Sequence, residues 1–123
     1  MRSAARVAII DDDKELRLSL GGLMRSFGIE AQLFESGDAF LELEKPTFDC
    51  LIADVHMPGT NGISMIRRLR DRGNQVPIII ISALDPDRTR DQALAAGAQA
   101  YFSKPVDSAA LLELIERVVN SAE

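Results

Sequence analysis

A doubly wound α/β domain, in which an open parallel β-sheet carries helices on both faces, is expected from the order and character of the apolar segments. Five short apolar runs alternate with five longer segments of helical periodicity. Three of the runs are apolar throughout, which is typical of parallel strands that are covered on both faces. Right-handed crossovers favour a single five-stranded sheet, and strand order 2-1-3-4-5 is the usual solution at this length.

The predicted strands are the five apolar runs. They comprise Val7–Ile10, Ala31–Phe34, Cys50–Ala53, Pro77–Ile81 and Ala100–Phe102. Cys50 is the only cysteine, which excludes an internal disulfide and a cysteine-based zinc site. Because Cys50 lies in an apolar strand, we expect its thiol to belong to the core.

The first and last predicted helices have apolar stripes broad enough to cover one face of a sheet. The first stripe consists of Leu16, Leu20, Leu23, Met24 and Phe27, and the last consists of Leu111, Leu112, Ile115, Val118 and Val119. Shorter helices are predicted for Gly37–Glu44, Ile63–Arg72 and Pro86–Ala96.

The ends of several helices are marked by single residues. Gly28, Gly73 and Gly97 each follow a helical pattern and shortly precede a strand, where a left-handed helix stop suits glycine best. Asp85-Pro86 indicates a helix start, with an N-cap carboxylate and proline at the first helical position. Asp13 is predicted to be the N-cap of the first helix.

Length and charge limit what the chain can bind. Its 123 residues, 46% of them hydrophobic and 27% charged, match one globular domain spanning residues 1–123. Fourteen basic and nineteen acidic side chains give a net charge of −5, which opposes non-specific binding to nucleic acid or an anionic membrane. Apolar runs fall short of the ~18 residues of a membrane span, and the first residues do not resemble a secretory signal. We therefore expect a cytoplasmic protein that contacts neither nucleic acid nor membrane directly.

One basic run interrupts the acidic composition. It consists of Arg67, Arg68, Arg70 and Arg72. Because these side chains spread over adjacent helical positions in an acidic protein, we expect a solvated face rather than a nucleic-acid contact.

Acidic, hydroxyl and basic residues stand directly after four of the predicted strands. Asp11, Asp12 and Asp13 follow the first strand, Asp54 the third, Ser82 the fourth and Lys104-Pro105 the fifth. Ligands of a doubly wound sheet bind beyond the carboxyl ends of its strands, so these groups are expected to converge on one edge. Three aspartates would repel the pyrophosphate of a dinucleotide, whereas clustered carboxylates suit Mg2+. Without a metal, mutual repulsion is expected to raise the apparent pKa of the carboxylates as a coupled set.

This set of residues resembles the receiver domain of two-component response regulators over essentially the whole chain. The strand-end acid pair of that family is matched by Asp11 and Asp12. Its phosphoacceptor segment is matched by Asp54–Gly59, with Gly62 three residues further on. Its Ser/Thr with a small residue is matched by Ser82-Ala83, and its Lys-Pro by Lys104-Pro105. Each motif alone is weakly specific, but their order and their shared position at strand ends make the resemblance strong.

The resemblance implies a flavodoxin-like fold and a signalling phosphoacceptor rather than an enzyme with turnover. Asp54 would receive a phosphoryl group from the histidine phosphate of a sensor histidine kinase or a phosphotransfer protein, and lose it by slow self-dephosphorylation. Mg2+, with Mn2+ as an alternative, would be held by Asp11, Asp12, Asp54 and the backbone carbonyl of His56. Lys104 would supply a second cation.

The resemblance also implies a switch. Ser82 would donate its hydroxyl to the phosphoryl group, and Tyr101 would turn inward, with a buried core tyrosine as the alternative. The changed surface would comprise the helix Pro86–Ala96, the fifth strand and the last helix, where an effector or a second copy docks. The alanine-rich segment 92–98 has few large apolar anchors, so its packing is expected to shift at low cost.

Two further residues flank the predicted site. In the family, the positions matched by His56 and Leu84 tend to set how fast the acyl phosphate hydrolyses. His56 is the only histidine, and we expect its side chain to be exposed, with only its carbonyl on the metal.

Two other functions stay open on the sequence. A magnesium phosphohydrolase of the haloacid-dehalogenase kind also forms an aspartyl phosphate, but it places its nucleophile after the first strand and encloses its substrate with a cap insertion. A pseudo-receiver would keep only the fold as an interaction module, although it usually lacks at least one of the five site residues. The output is also open, since the chain would act either alone or as the amino-terminal part of a transcriptional regulator.

Overall fold

The structure is a computed structural model that describes residues 5–44, 47–83 and 86–121. Five strands alternate with five helices along these residues. They are β1 (Arg6–Ile10), α1 (Lys14–Ser26), β2 (Glu30–Phe34), α2 (Gly37–Leu41), β3 (Cys50–Asp54), α3 (Gly62–Asp71), β4 (Ile78–Ser82), α4 (Pro86–Ala96), β5 (Ala100–Ser103) and α5 (Ser108–Ser121). The strands pair in parallel in the order β2-β1-β3-β4-β5, which confirms the predicted doubly wound fold. Among the described residues, none of the helices combines the length and apolar character that a membrane span needs.

The central strands are buried on both faces, as their uninterrupted apolar sequences predict. In β1, Val7 and Ile9 face the layer formed by α1 and α5, whereas Ala8 and Ile10 face the layer formed by α2, α3 and α4. Cys50 lies fully buried in the first of these layers, where burial raises the pKa of its thiol to about 12. The prediction that this cysteine belongs to the core is therefore confirmed.

Helix α1 begins where the sequence predicts but ends before its last predicted apolar contact. The side chain of Asp13 accepts hydrogen bonds from the backbone N–H groups of Glu15 and Leu16, which confirms Asp13 as the N-cap. The prediction that Phe27 belongs to the buried stripe is wrong, since its side chain is 56% exposed. The helix stops at Ser26, so Phe27 leaves the helical register and the buried Ile29 takes its place against the core.

The remaining element bounds lie close to the predicted ones, with one exception. Helix α2 ends at Leu41 rather than at Glu44, because the N–H of Leu43 donates to the carbonyl of Phe40 and so tightens the last turn. The three glycines predicted to stop helices all have positive φ angles, 75° at Gly28, 81° at Gly73 and 114° at Gly97. The predicted N-cap Asp85 lies outside the described residues.

The basic run on α3 is not a uniformly solvated face. Arg67 and Arg68 are exposed as predicted, but Arg70 is half-buried and donates to the carbonyls of Asn74 and Gly97, each at 2.9 Å. Arg72 is exposed yet donates to the carbonyl of Leu41 at 3.1 Å. The prediction of a solvated side chain is therefore confirmed for Arg67, Arg68 and Arg72 and wrong for Arg70, whose guanidinium reaches the carbonyls that follow α3 and α4.

Candidate functional site

An acidic pocket lies at the carboxyl edge of the sheet, between the ends of β1 and β3. These strands are direct neighbours, with Ile10 opposite Ala53, so Asp11 and Asp54 emerge side by side. Asp12 follows in the turn that leads to α1. One carboxylate oxygen from each of Asp11, Asp12 and Asp54 lies within 4.8 Å of the other two. The strand order thus brings the three acids together, although they are up to 43 positions apart in sequence.

The pocket has a buried floor and an open side. Asp11 is fully buried and Asp54 is 5% exposed, whereas Asp12 is exposed. A buried carboxylate normally requires a partner, because removing a charge from water is costly. Both buried acids have such partners, which are hydrogen-bond donors on three different segments.

Asp11 is held from two sides. Its Oδ1 accepts from the N–H of Asp13 at 2.9 Å, and its backbone carbonyl accepts from the guanidinium of Arg17 at 2.7 Å. Burial raises the pKa of Asp11, and the nearby charge of Asp54 raises it further, whereas the Asp13 N–H and the Lys104 ammonium act in the opposite direction. The direction agrees with the predicted mutual repulsion, but burial is its largest cause.

Lys104 joins the two buried carboxylates. Its Nζ lies 2.8 Å from Oδ2 of Asp54 and 3.3 Å from Oδ2 of Asp11. Burial alone would lower the pKa of Lys104, but the hydrogen bond to Asp54 and the charge of Asp11 raise it above its ordinary value of 10.5. The ammonium is therefore charged at neutral pH and supplies a fixed cation beside Asp54.

The carboxylate of Asp54 is oriented by the loop that follows it. Its Oδ1 accepts from the backbone N–H of His56 at 3.1 Å, while Oδ2 faces Lys104. The N–H of Gly62 donates to the carbonyl of Val55 at 3.0 Å, so α3 begins directly against the end of β3. A Cβ at Gly62 would overlap the backbone carbonyl of Asp54, which explains why glycine is required at this position. The side chain of His56 is exposed, as predicted.

The other predicted site residues lie at the neighbouring strands. Ser82 is fully buried at the end of β4, one position beyond Ile81, which pairs with Asp54. Its backbone carbonyl accepts from the N–H of Lys104 at 2.8 Å. Tyr101 is half-buried and packs against the core of the α2–α4 layer. Leu84 lies outside the described residues, so its predicted flanking position is not described.

Several residues that support the pocket did not stand out in the sequence. Arg17 lies at the end of the first turn of α1, and its spacing from Asp11 is a weak signal for a contact with the acid turn. Asp38 and Thr60 form hydrogen bonds across 22 positions, and nothing in the local sequence indicates that contact. Arg17 contacts the backbone of Asp11, whereas Asp38 and Thr60 connect α2 to the loop that follows Asp54.

The donor set of the pocket fits a divalent metal. It consists of carboxylate oxygens, with one exposed and two buried acids around one point. Hard cations such as Mg2+, Mn2+ and Ca2+ prefer oxygen ligands, and soft metals prefer sulfur. The acidic cluster could therefore hold a divalent cation.

Comparison with known proteins agrees with this geometry. Residues 7–116 match the response regulator receiver domain family. The transcriptional regulatory protein FixJ of Bradyrhizobium diazoefficiens is 32% identical over 124 residues, covering 100% of this chain and 60% of FixJ. The response regulator protein TodT of Pseudomonas putida is 35% identical over 120 residues, covering 97% of this chain and 53% of TodT.

A solved structure gives the same result for the fold. The Francisella response regulator 1452 receiver domain superposes with a TM-score of 0.91 at 26% identity, covering 97% of this chain and 99% of that domain. The chain spans only 60% of FixJ and 53% of TodT, so these relatives extend well beyond the matched region. The chain belongs to the receiver domain family of response regulators, the signalling proteins of two-component systems.

Proposed function

We propose that Asp54 accepts a phosphoryl group from the phosphohistidine of a sensor histidine kinase or a phosphotransfer protein. The observation that carries this proposal is the environment of its carboxylate. Asp54 is nearly buried, is oriented by the N–H of His56, and lies 2.8 Å from the ammonium of Lys104 beside two further acids. A nucleophile held in one orientation next to fixed positive charge is what phosphoryl transfer requires.

The transfer is balanced without a further reactant. An oxygen of Asp54 attacks phosphorus and forms an O–P bond, while the P–N bond of the donor breaks. The electron pair of that bond stays on the imidazole nitrogen, and a donor ring that carries a proton on its other nitrogen leaves as neutral imidazole. The Lys104 ammonium, held by both buried acids, offsets negative charge on the phosphoryl oxygens.

A divalent cation completes this proposal. Asp11, Asp12 and Asp54 would hold Mg2+, with Mn2+ as an alternative, together with the backbone carbonyl of His56. When bound, the ion supplies positive charge that offsets the negative charge of the phosphoryl oxygens. The oxygen-only donor set supports a hard cation.

We further propose that phosphorylation changes the surface formed by α4, β5 and α5. Ser82 would donate its hydroxyl to the phosphoryl group, and Tyr101 would move inward from its half-buried position. The surface would then bind an effector or a second phosphorylated copy. His56 and Leu84 would influence the hydrolysis rate from their positions beside the site. Residues 1–123 acting as one receiver domain, a cytoplasmic location and no direct nucleic-acid contact remain predictions.

The test is intact-mass spectrometry after incubation with acetyl phosphate or phosphoramidate and Mg2+. We expect one phosphoryl adduct per chain, absent in Asp54→Asn and retained in Asp71→Asn, which alters an exposed acid at the end of α3. Loss of the adduct in both variants would contradict the assignment of Asp54. An unmodified wild-type chain would favour a pseudo-receiver, and steady turnover of a small phosphate ester would favour a hydrolase.

A further inference from the structure

We infer that Asp38 and Thr60 position the β3–α3 loop so that the backbone carbonyl of His56 is presented to the divalent cation. We call this pair of hydrogen bonds the Asp38–Thr60 contact. The inference rests on the proposed function, because it assumes that the carbonyl of His56 is a ligand of the cation. It assigns Asp38 and Thr60 a positioning role and no direct part in the transfer.

The Asp38–Thr60 contact joins α2 to the far end of the loop. The hydroxyl of Thr60 donates to Oδ1 of Asp38 in a short hydrogen bond, and the N–H of Thr60 donates to Oδ2 at 3.4 Å. Asp38 is exposed, whereas Thr60 is buried. A charged acceptor with two donors from one residue fixes both the side chain and the backbone of Thr60.

Space around the contact is limited on both sides. Gly59 has a φ angle of 79°, and a Cβ at that position would overlap the carboxylate of Asp38. A Cβ at Gly37 would lie 2.9 Å from the carbonyl oxygen of Thr60. The start of α2 and the loop therefore approach each other closely, and glycine at both positions leaves room for the contact.

The near end of the same loop is fixed at Asp54. The N–H of His56 donates to Oδ1 of Asp54, and the side chain of Met57 is buried in the core. His56 thus lies on a short segment fastened at one end by the phosphoacceptor itself and at the other end by Asp38. Releasing the far end would leave the carbonyl of His56 restrained only by the Asp54 hydrogen bond and by the buried side chain of Met57.

The acceptor in this contact is an ionised carboxylate at neutral pH. The hydrogen bonds from the hydroxyl and N–H of Thr60 lower the pKa of Asp38, and the charge of Arg68 lowers it further. Replacing Thr60 by valine keeps the shape of the side chain and removes only the hydroxyl. Replacing it by serine keeps the hydroxyl and removes only the methyl group, so this pair of substitutions separates hydrogen bonding from packing.

The experiment compares the Mg2+ dissociation constants of wild type, Thr60→Val, Thr60→Ser and Asp38→Asn by calorimetry without phosphodonor. Amide hydrogen exchange of residues 56–61 is measured in parallel on the metal-free proteins. We expect Thr60→Val to weaken Mg2+ binding by about tenfold, the lower end of the range for residues that support metal ligands, and to speed exchange in the loop. Thr60→Ser should restore both, and Asp38→Asn should show a smaller weakening because one oxygen still accepts.

The matched control is Asp49→Asn. The carboxylate of Asp49 accepts from the backbone N–H of Arg6 at 2.7 Å. Like Asp38, Asp49 therefore accepts from a backbone N–H, but it lies at the opposite edge of the sheet. Equal Mg2+ affinity in Thr60→Val and wild type would overturn the inference, as would equal weakening in Asp49→Asn or a wild type that binds no Mg2+. If Thr60→Val does not fold, the exposed Asp38→Asn decides: weakened Mg2+ binding supports the inference and unchanged binding overturns it. A wild type that binds Mg2+ but gains no phosphoryl group would contradict the proposed function alone.

Discussion

Helices α3 and α4 pack on the same face of the sheet and follow β3 and β4, the strands that end at Asp54 and Ser82. The two helices nevertheless differ strongly in how many of their side chains are buried. Five residues of α3 are buried, namely Gly62, Ile63, Met65, Ile66 and Leu69. In the described part of α4, Thr89 and Ala93 are buried and Leu94 is 39% exposed. Burial of apolar area is the main source of helix anchoring, so α4 is the helix whose displacement costs less.

The carboxyl end of α4 is held by a polar contact instead. The guanidinium of Arg70 donates to the carbonyl of Gly97 at 2.9 Å and thereby connects α3 to the turn after α4. This contact refines the prediction that segment 92–98 shifts at low cost, since its last residues are tied to α3. Movement of α4 during signalling remains a prediction, and its freer end is expected to be the one near Ser82.

The largest effect should come from truncating an apolar side chain of α3. Ile66 is fully buried, so Ile66→Ala is expected to lower the free energy of unfolding by about 2–5 kcal/mol. Ala93→Gly in α4 removes one methyl group and should cost only about 1 kcal/mol. Urea denaturation of both variants measures the difference. Equal destabilisation would contradict the contrast between the helices.

A second variant tests how closely the start of α3 packs against the end of β3. In Gly62→Ala the added Cβ would lie 3.0 Å from the carbonyl carbon of Asp54 and 3.2 Å from Cα of Val55. Such overpacking is expected to cost about 1–3 kcal/mol and to slow phosphorylation, because the strand end must move. Gly22→Ala in α1 is the control, since a Cβ there meets no described atom within 4 Å. The control should be neutral or more stable, by up to about 1 kcal/mol. Normal stability and phosphorylation in Gly62→Ala would show that the start of α3 can shift to accommodate a Cβ.

A third variant releases the polar contact at the end of α4. Arg70→Met loses hydrogen bonds to the carbonyls of Asn74 and Gly97, for an expected cost of about 1 kcal/mol. Hydrogen exchange should increase around residues 96–99 and stay unchanged in α3 up to Leu69. Arg67→Met, an exposed position on the same helix, serves as the control. Unchanged exchange at 96–99 would mean that Arg70 does not hold α4.

The smallest effect concerns the charge of Asp11 in the acidic pocket. Because burial raises the pKa of Asp11 above 3.8, the folded chain holds this proton more strongly than the unfolded chain does. Without metal, the contribution of Asp11 to stability therefore falls as pH rises from about 3.8 through the raised pKa. The unfolding free energy of Asp11→Asn relative to wild type should rise across that window and then level off. Over the same window, amide exchange of wild type should change more in α4 than in α3. A flat difference would contradict the raised pKa.

The fold could be predicted because its determinants are local. Buried faces are indicated by the uninterrupted apolar runs of β1, β3 and β4 and by the apolar stripes of α1 and α5. Parallel pairing then follows from the alternation of strand and helix. The convergence of Asp11, Asp54 and Lys104 follows too, because every parallel strand ends at the same edge. The wrong prediction for Phe27 shows the limit of this reasoning, because an apolar pattern can continue in the sequence beyond the residue at which the helix ends.

The amino-acid sequence alone indicates the set of strand-end groups and the sheet that brings them to one edge. Three polar contacts became visible only in the folded chain: Lys104 joins two buried carboxylates, Arg70 connects α3 to the end of α4, and Asp38 accepts hydrogen bonds from Thr60 in the loop. The reason is physical. Apolar periodicity depends on residues that are close together in the sequence. The partner of a long polar side chain is instead any donor or acceptor that the packing of the fold places within about 3 Å.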